Sequence, residues 1–387
     1  MKKILVITPY CPFPLHKSGG IHALLNIINE NKKFGNRIDL IYYDEKDIDG
    51  ENELRKYVDN IEYRDLRRSS RFTRLISIIK GIPYGIYQYN EEKLQGIEGY
   101  DKVILDQPLS MKLVKKIKAK EKILIAYDSM NLYFKRKSSI DNSNFIEKAY
   151  SNIQSKYYEM IQKKFFCEFN KIYYVSANDA LYEKKLNHIN DDKIDFINLG
   201  VDYSKYDSSK YECNLSADKK VIIFTGIMSY APNKDAAIFF ANKIMPEIIK
   251  RNRNTKFIIV GKNPDREVLN LQNEYVEVTG FVDDIVEYIS NANIYVSPLR
   301  FGTGMKNKVL EAMSCSKAII ASTISVEGIN ELINGENIYI PNSDDEWVGY
   351  VEKLLYDEEL NCKFGSECRS VILKKYNWEK AYIKIFN

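Results

Sequence analysis

The amino-acid sequence predicts an α/β protein made of two similar halves. Short apolar runs of strand character alternate with longer stretches of helical periodicity, which is the pattern of parallel sheets covered by helices. The series occurs twice, on either side of a polar, aperiodic stretch, and 387 residues are many for a single core. We therefore expect domains at 1–203 and 219–375, a linker at 204–218 and a last helix within 376–387. A ligand is expected in the cleft between the two domains.

The composition excludes several classes of function. Hydrophobic residues make up 45% of the chain and charged residues 28%, as in a folded globular protein. The net charge of +4 gives no general attraction to nucleic acid. Six cysteines lie scattered without a C-x-x-C pair, and three histidines have no metal-ligand spacing, so we expect a reducing compartment and no metal. The N-terminal apolar run is too short for a signal peptide and no run of 18 apolar residues occurs, so the expected location is cytoplasmic.

The first half opens as a βαβ unit. A buried strand at 4–8 leads through a Pro- and Gly-rich loop that ends in Gly19 and Gly20 into a helix at 21–31. This order of strand, Gly loop and helix can cradle a phosphate, although one Gly pair alone is weak evidence. The further strands of this half are expected at 37–43, 103–106, 123–128, 172–176 and 194–199. A long helix is expected at 144–169, between the strands at 123–128 and 172–176.

Two basic stretches of the first half differ in character. Residues 64–89 place basic residues beside apolar and aromatic ones, which suits a helix lying on anionic lipid head groups. The residues expected to contact the membrane are Arg64, Arg67, Arg68, Arg71 and Arg74. A solvated basic helix face is the simpler alternative. Residues 111–122 repeat the basic pattern without aromatics, which favours the solvated face there.

Asp128 ends a predicted strand, which in an open α/β sheet places it at the ligand crevice. The alternative is an N-cap or turn residue, a common role for Asp after a strand. In the second half, strands are expected at 221–225, 256–260, 275–278 and 294–297, and helices at 235–250, 284–290, 346–356, 359–375 and 378–386.

Residues 297–322 form the stretch with the clearest chemistry. A strand end is followed by a loop with Gly302 and Gly304, a helix at 305–313 and a core strand at 318–321. A Gly loop that opens a helix offers N–H groups and a positive dipole end to an anion. Lys306 in the first turn opposes that dipole, and a bound phosphate would explain it. Glu311 lies further along, where a carboxylate could accept bonds from sugar or ribose hydroxyls. The alternative is a solvated Lys and Glu on an ordinary helix.

Seven short motifs occur in the order typical of family 4 of the GT-B glycosyltransferases, and together they make nearly the whole chain resemble that family. In the first half they are the loop Pro12, Pro14, Ser18, Gly19, Gly20 and the turn Asn198, Gly200, Val201, Asp202. In the second half they are Gly226, Met228, Tyr230, Pro232, Asn233, Asp235; then Thr279, Gly280, Phe281, Val282, Asp283; then Arg300, Gly302, Gly304, Lys306, Lys308, Glu311; then Val326, Glu327, Gly328; and last Tyr376, Asn377, Trp378, Glu379.

The resemblance implies a GT-B fold, in which two Rossmann-like domains face each other across a cleft and the last helix returns towards the first domain. It implies transfer of a sugar, with retention of configuration, from a nucleotide-diphosphate donor to a glycan or lipid-linked acceptor, without a metal or other cofactor. Lys306, Glu311 and Asp128 would be the catalytic residues. The donor would be bound by Gly19, Gly20, Gly226, Phe281, Val282, Arg300, Thr303, Gly304 and Met305. The basic segment at 64–89 in addition suggests an acceptor of cell-surface polysaccharide synthesis at the inner face of the membrane.

The sequence also departs from the family pattern. Many members have a Glu eight residues before the position of Glu311, where this chain has Thr303. An Arg after the glycine equivalent to Gly226 is absent, and Tyr127 replaces a His of the first domain. The glycine that usually follows the helix is Ser316, so the helix lacks its usual cap. In a branch with the G-x-G-x-K-x-K loop, Lys306 would supply the charge that an Arg gives elsewhere. Lys308, about 200° away on a helix, would not touch the same phosphate and would be a surface or supporting residue.

These departures keep other functions open. A non-catalytic subunit of a glycosyltransferase complex would bind the donor without turnover, and a sugar-nucleotide 2-epimerase would return altered nucleotide products. A nucleotide-sugar binding module would bind the donor tightly without needing the basic segment. A phosphorylase is disfavoured because no late Lys motif marks a pyridoxal phosphate site. The base, sugar, linkage and oligomeric state are not specified by the sequence.

Overall fold

A computed structural model describes residues 1–13, 19–43, 45–67, 70–89, 97–140, 145–189, 192–212, 219–378 and 385. The chain divides into two compact units, Met1–Asn198 with Tyr382–Asn387, and Leu199–Ala381. The first unit thus ends a few residues before the predicted domain end at 203. The predicted last helix falls mostly outside the described residues, as do Arg68 and the loop residues Pro14 and Ser18.

The first unit is built on a parallel sheet of seven strands in the order β3-β2-β1-β4-β5-β6-β7. The strands are β1 Lys3–Thr8, β2 Arg37–Tyr42, β3 Asn60–Tyr63, β4 Tyr100–Asp106, β5 Ala119–Tyr127, β6 Lys171–Tyr174 and β7 Ile194–Phe196. The α-helices are α1 Gly19–Lys33, α2 Ile48–Leu54, α3 Arg71–Ile79, α4 Tyr84–Tyr87, α5 Met130–Ser138, α6 Phe145–Phe165 and α7 Ala177–Asn187, with 3-10 turns at Pro108–Lys116 and Phe166–Glu168. β1 and β4 are continuous apolar runs because a central parallel strand is covered on both faces.

The second unit has a parallel sheet of five strands in the order β10-β9-β8-β11-β12. The strands are β8 Lys220–Thr225, β9 Thr255–Val260, β10 Val276–Gly280, β11 Ile294–Ser297 and β12 Ala318–Ala321. The α-helices are α8 Ala231–Phe239, α9 Met245–Arg251, α10 Arg266–Leu269, α11 Ile285–Ser290, α12 Asn307–Ser314, α13 Thr323–Val326, α14 Asp344–Tyr356 and α15 Glu358–Lys375. A π-turn at Phe240–Ile244 joins α8 to α9, and a 3-10 turn lies at Ser208–Lys210.

The predicted parallel α/β architecture is confirmed in both units, and the fully buried strands were found where apolar runs predicted them. Edge strand β3, whose residues are exposed or half buried, and the helices α2, α5 and α7 were not predicted. The predicted solvated basic face at 111–122 holds for Lys115, Lys116, Lys118 and Lys120, which are exposed, but the stretch is not one helix. Met111–Val114 are buried in the 3-10 turn, and the stretch from Ala119 onwards is strand β5. Lys112 is buried because its Nζ donates to the Tyr87 carbonyl, 3.1 Å away.

Candidate functional site

The predicted Gly-rich loop lies at the point where the strand order of the second sheet reverses. β8 is the first strand of this unit, and its neighbours β9 and β11 continue the sheet in opposite directions. The loops after β8 and β11 therefore leave the same edge of the sheet on diverging paths. In open parallel sheets the crevice at such a switch point is the usual ligand site.

The loop between β11 and α12 depends on its glycines. Gly302 has φ 133° and Gly304 has φ 71°, which side chains with a Cβ rarely adopt. Between them Thr303 is 5% exposed, and Met305 next to them is 6% exposed. The loop is thus a fixed turn packed into the unit.

Lys306 closes this loop at the N-cap of α12, in extended conformation and without a side-chain capping bond. It is 9% exposed, and its Nζ donates to the Thr303 carbonyl at 2.9 Å and to the Gly304 carbonyl. A cation at the positive end of a helix dipole, with no acidic residue in the first turn, raises the affinity of this end for an anion.

That Lys308 is a surface or supporting residue, which does not touch the phosphate of Lys306, stays a prediction. Lys306 precedes the helix, and the helical angle between the two residues therefore does not apply. The half-buried Lys308 places its Nζ 4.6 Å from the Phe224 ring and donates to Asn233 Oδ1. Burial and, to a lesser extent, the charge of Lys306 lower the pKa of Lys308 to about 7, while Glu311 acts in the opposite direction. The charges of the two lysines therefore act on each other, and Lys308 loses its proton readily.

Gly226 follows β8, and the side chain of Lys308 approaches its backbone so closely that only a glycine fits there. A Cβ on Gly226 would lie 2.6 Å from Asn233 Nδ2 and 3.0 Å from Lys308 Nζ. Asn233 is 5% exposed, and its Nδ2 also donates to the Ile227 carbonyl at 3.0 Å. The two loops at the switch point thus converge on one lysine.

One further polar atom at the start of α12 has no partner. The side-chain Oδ1 of Asn307 is buried and accepts no hydrogen bond from any described residue. Buried acceptors are nearly always satisfied, by protein, water or ligand. This residue was not predicted from the sequence, because Asn is common at the start of a helix.

Glu311 lies in the second turn of α12 and accepts a hydrogen bond from the Tyr206 hydroxyl at 3.0 Å. Burial raises the pKa of Glu311, while the bond from Tyr206 lowers it. The Tyr206 carbonyl accepts from Ser314 Oγ at 2.8 Å and from Arg369 at 3.3 Å. Part of the predicted linker therefore packs into the second unit and places a tyrosine beside Glu311, which a polar, aperiodic stretch did not indicate.

The other predicted donor residues of this unit lie elsewhere on the same edge. Arg300 forms a two-pronged ion pair with Asp235 of α8, with Nε 2.8 Å from Oδ2, and lies 5.2 Å from the Phe239 ring. Phe281 follows β10 and is 68% exposed, beside the half-buried Val282.

In the first unit, Gly19 and Gly20 are the first residues of α1. Asp128 follows β5, is half buried, and donates its N–H to the Ala126 carbonyl at 2.8 Å. The alternative that Asp128 caps the next helix is wrong, because Ser129 caps α5 by accepting from the Leu132 N–H at 3.1 Å.

A buried acid at the switch point of the first sheet escaped the sequence analysis. Asp106 ends β4 and is fully buried, and its two oxygens accept from Thr8 Oγ1 at 3.0 Å and from the Tyr127 hydroxyl at 2.8 Å. Burial raises the pKa of Asp106 to about 7. Tyr127 has φ 56° and Gln107 has φ 66°, both rare for these residues. The criterion that selected Asp128, an Asp after a buried strand, applies equally to Asp106.

Neither a metal centre nor a membrane span is found in the part of the chain that the structure describes. Its His, Cys, Asp and Glu residues form no group of three or more that could hold a metal ion. None of its helices is both long and apolar enough to cross a bilayer.

Residues 219–357 match the family "Glycosyl transferases group 1". An uncharacterized 44.6 kDa protein in the cps region of Klebsiella pneumoniae is 24% identical over 416 residues, which cover 100% of this chain and 99% of that protein. An uncharacterized glycosyltransferase of Methanocaldococcus jannaschii is 29% identical over 222 residues, 52% of this chain and 54% of the relative. The similarity to group 1 glycosyltransferases therefore lies in the second unit, over about a third of the chain.

Solved structures of similar shape cover the whole chain. Sucrose-phosphate synthase of Thermosynechococcus elongatus has a TM-score of 0.71 at 13% identity, covering 99% of this chain and 97% of its own. HepE of Anabaena, in complex with UDP and glucose, has a TM-score of 0.65 at 12% identity, covering 100% of this chain and 98% of its own. A variant of S. aureus TarM, in complex with Fondaparinux, alpha-GlcNAc-glycerol and UDP, has a TM-score of 0.67 at 13% identity, covering 100% of both chains. The predicted GT-B fold is confirmed, and together with the domain match these findings support a GT-B glycosyltransferase.

Proposed function

We propose that the protein is a retaining glycosyltransferase of family 4, which moves a sugar from a UDP- or GDP-sugar to a glycan or lipid-linked acceptor of cell-surface polysaccharide. The observation that carries the proposal is the convergence of Lys306, Lys308 and the N-terminus of α12 at the switch point of the second sheet. The similarity to group 1 glycosyltransferases covers this region. The cps region of the Klebsiella relative supports a polysaccharide product.

The leaving diphosphate sets the main electrostatic demand of the reaction. As the bond from the anomeric carbon to the diphosphate breaks, negative charge develops on the phosphate oxygens. Donors that are already in place stabilise this charge without reorganisation. We assign this role to Lys306 and to the N–H groups of Thr303, Gly304 and Met305. The acceptor oxygen bonds the same face of the carbon, and its proton passes to the departing phosphate oxygen.

Lys308 joins Lys306 in this role. Because the pKa of Lys308 is about 7, a bound diphosphate would raise it, hold the proton on Lys308 and so gain a second cation. Lys306 holds two loop carbonyls, so it also fixes the loop that presents the N–H groups. The two lysines would replace the positive charge that is lost with the missing Arg of the family pattern. No metal is needed in this arrangement.

The remaining predicted roles follow from position. Glu311, oriented by Tyr206, would accept hydrogen bonds from the nucleotide ribose, and Asn307 Oδ1 would accept one from a donor hydroxyl. Gly226, Arg300, Phe281 and Val282 would line the donor site.

On the first unit, Gly19, Gly20 and Asp128 would serve the phosphates and the acceptor. A lipid-linked acceptor would bring a cytoplasmic enzyme to the inner face of the membrane, where the basic segment would meet anionic head groups.

Donor hydrolysis tests the proposal directly. Wild type, Lys306→Ala and Lys308→Met would be incubated with UDP-, GDP-, ADP- and CMP-sugars, and the nucleotides and sugars released would be measured. Slow release of one nucleoside diphosphate, lost in both variants, supports transfer and names the donor.

Other outcomes would replace the proposal. Tight binding without hydrolysis, even with lipid acceptors, would favour the accessory subunit, and an epimerised sugar product would favour the 2-epimerase. Absence of binding to all four donor classes would refute the donor site.

A further inference from the structure

Helix α3 exposes its apolar face to solvent, which is unusual for a helix of a globular protein. Its apolar residues Phe72, Leu75 and Ile79 repeat at helical spacing, yet they are 70%, 54% and 75% exposed. The residue that α3 buries is Ser77, which is 2% exposed. The apolar stripe of this helix therefore faces outward, and the core of the unit does not need it.

The same helix has well-defined ends. Ser70 caps it by accepting from the Thr73 N–H at 3.0 Å, and Thr73 Oγ1 accepts from the Ser70 N–H at 2.9 Å, which completes a capping box. At the other end Gly81 has φ 61°, and the Ile82 N–H donates to the Ser77 carbonyl. The outward stripe is thus held in place by local hydrogen bonds.

Helix α6 presents a second exposed stripe. One face of α6 packs into the core of the unit through Tyr158, Ile161 and Phe165. Outside that face α6 carries large exposed apolar residues at helical spacing. They are Ile146, Tyr150, Ile153 and Met160, which are 78%, 54%, 48% and 60% exposed.

The two stripes meet at the end of α3. The Tyr157 hydroxyl of α6 donates to the Ile78 carbonyl at 3.4 Å. A Cβ on Gly81 would lie 3.7 Å from the Met160 Cε. The C-terminal end of α3 therefore lies against α6, and the exposed apolar residues of the two helices are here together called the α3–α6 surface. Exposed apolar surface of this kind marks an interaction site.

The charges on and next to α3 have one sign, whereas α6 carries both, with Glu147 and Glu159 among its lysines. Residues 66–89 contain no acidic residue and five basic ones, Arg67, Arg68, Arg71, Arg74 and Lys80. Arg71, Arg74 and Lys80 are exposed on or next to α3. Arg64, which the sequence analysis included, instead pairs with Glu62 through two hydrogen bonds of 2.8 and 3.0 Å. In a symmetric dimer the basic flanks of two copies would lie against each other and repel. An anionic lipid surface complements both the charge and the apolar stripe.

We propose that the α3–α6 surface docks on an anionic bilayer, with Phe72, Leu75 and Ile79 inserted below the head groups and the flanking cations at their level. The inference deepens the proposed function, since it names the membrane as the partner that presents the acceptor. Docking itself needs neither donor nor acceptor. Insertion, rather than the arginines alone, would supply most of the affinity.

Vesicle sedimentation of the full chain tests this proposal. The probes are phosphatidylcholine vesicles with and without phosphatidylglycerol, and the variants are Leu75→Gln and Leu181→Gln. Leu181 is a matched control in the same unit, because it is 52% exposed against 54% for Leu75 but lies on α7. We expect binding to the anionic vesicles that falls about tenfold in Leu75→Gln, as for a buried Leu side chain, and is unchanged in Leu181→Gln.

Two further readouts separate insertion from adsorption and from dimerisation. Binding should weaken but persist at high salt, where charge attraction is screened, and Phe72→Trp should show a blue shift of its emission with anionic vesicles. Equal binding by both Gln variants, no binding by wild type, or a wild-type dimer that Leu75→Gln dissociates would overturn the proposal. Donor hydrolysis with water-soluble components should be unchanged in Leu75→Gln. Its absence from wild type would refute the proposed function while leaving the docking result intact.

Discussion

Replacement of Gly226 by Ala tests whether the two loops of the second unit converge as described. The added Cβ would lie 2.6 Å from Asn233 Nδ2 and 3.0 Å from Lys308 Nζ. Asn233 cannot retreat freely, because it is buried and bonds both Lys308 and the Ile227 carbonyl. Overpacking of this kind costs about 1–3 kcal/mol of folding stability. Displacement of Lys308 would remove a charge-assisted bond to the donor, worth roughly 1.5–3 kcal/mol, or about a ten- to hundredfold loss of affinity.

Gly349→Ala is the matched control for this substitution. Gly349 lies inside α14 with nothing within 4 Å of an added Cβ, so the change should stabilise the protein by roughly 0.5–1 kcal/mol. Urea unfolding gives the stability of each variant, and calorimetric titration with UDP and GDP gives the affinity. If Gly226→Ala binds the nucleotide as tightly as wild type and Gly349→Ala do, Lys308 is not part of the donor site and the convergence argument is wrong.

Four further substitutions test other parts of the structure. Tyr206→Phe removes the hydroxyl that donates to Glu311 and should weaken nucleotide binding by roughly tenfold in titration; an unchanged affinity would exclude Glu311 from the ribose site. In wild type, Asp106 holds its proton in the folded state up to a pKa of about 7 against 3.8 when unfolded, so stability should fall by up to about 4 kcal/mol as pH rises from 4 to 7. Asp106→Asn should flatten that part of the urea-unfolding profile, and an unchanged slope would refute the assignment. Lys308, with a pKa of about 7 when folded and 10.5 when unfolded, should make stability rise between these pH values, and Lys308→Met should abolish the rise. Ser316→Gly should stabilise by roughly 0.5–1 kcal/mol in thermal unfolding, because Ser316 has φ 54° after α12; a loss of stability would show that the turn is unstrained.

The sequence predicted the sheets well because their strands are buried on both faces. Runs such as those of β1, β4 and β11 can hardly be anything but central strands once helical stretches separate them. Edge strand β3 and helices α5 and α7 lack this contrast, since their polar and apolar residues mix with little periodicity. The burial of Lys112 was not predicted for a related reason. Lysines can be buried along their stems when a carbonyl accepts the ammonium, as Tyr87 does for Lys112, and composition alone does not show this.

The site was predictable in its loop and not in its partners. Glycines before a helix marked the backbone of 302–306, and the structure places that loop at the switch point. The contacts of Asn233 with Lys308 and of Tyr206 with Glu311 join residues far apart in the chain, which no local pattern reports. The predicted angle of about 200° between Lys306 and Lys308 does not apply, because Lys306 is the N-cap of α12 and not a helical residue. Helix ends are the least certain part of any pattern, and here the end decides where a charge points.

The two lysines give the second unit a property that neither would have alone. Burial and, to a lesser extent, the charge of Lys306 lower the pKa of Lys308, so this lysine releases a proton near neutral pH when no anion is bound. A diphosphate reverses the balance, since it attracts both cations and takes the proton up again. Nucleotide binding should therefore consume a proton near pH 7, and the site should favour ligands with at least two negative charges. A monoanionic ligand would leave Lys308 neutral and gain only Lys306 and the loop N–H groups. In this way the K-x-K spacing would select a diphosphate without a metal ion.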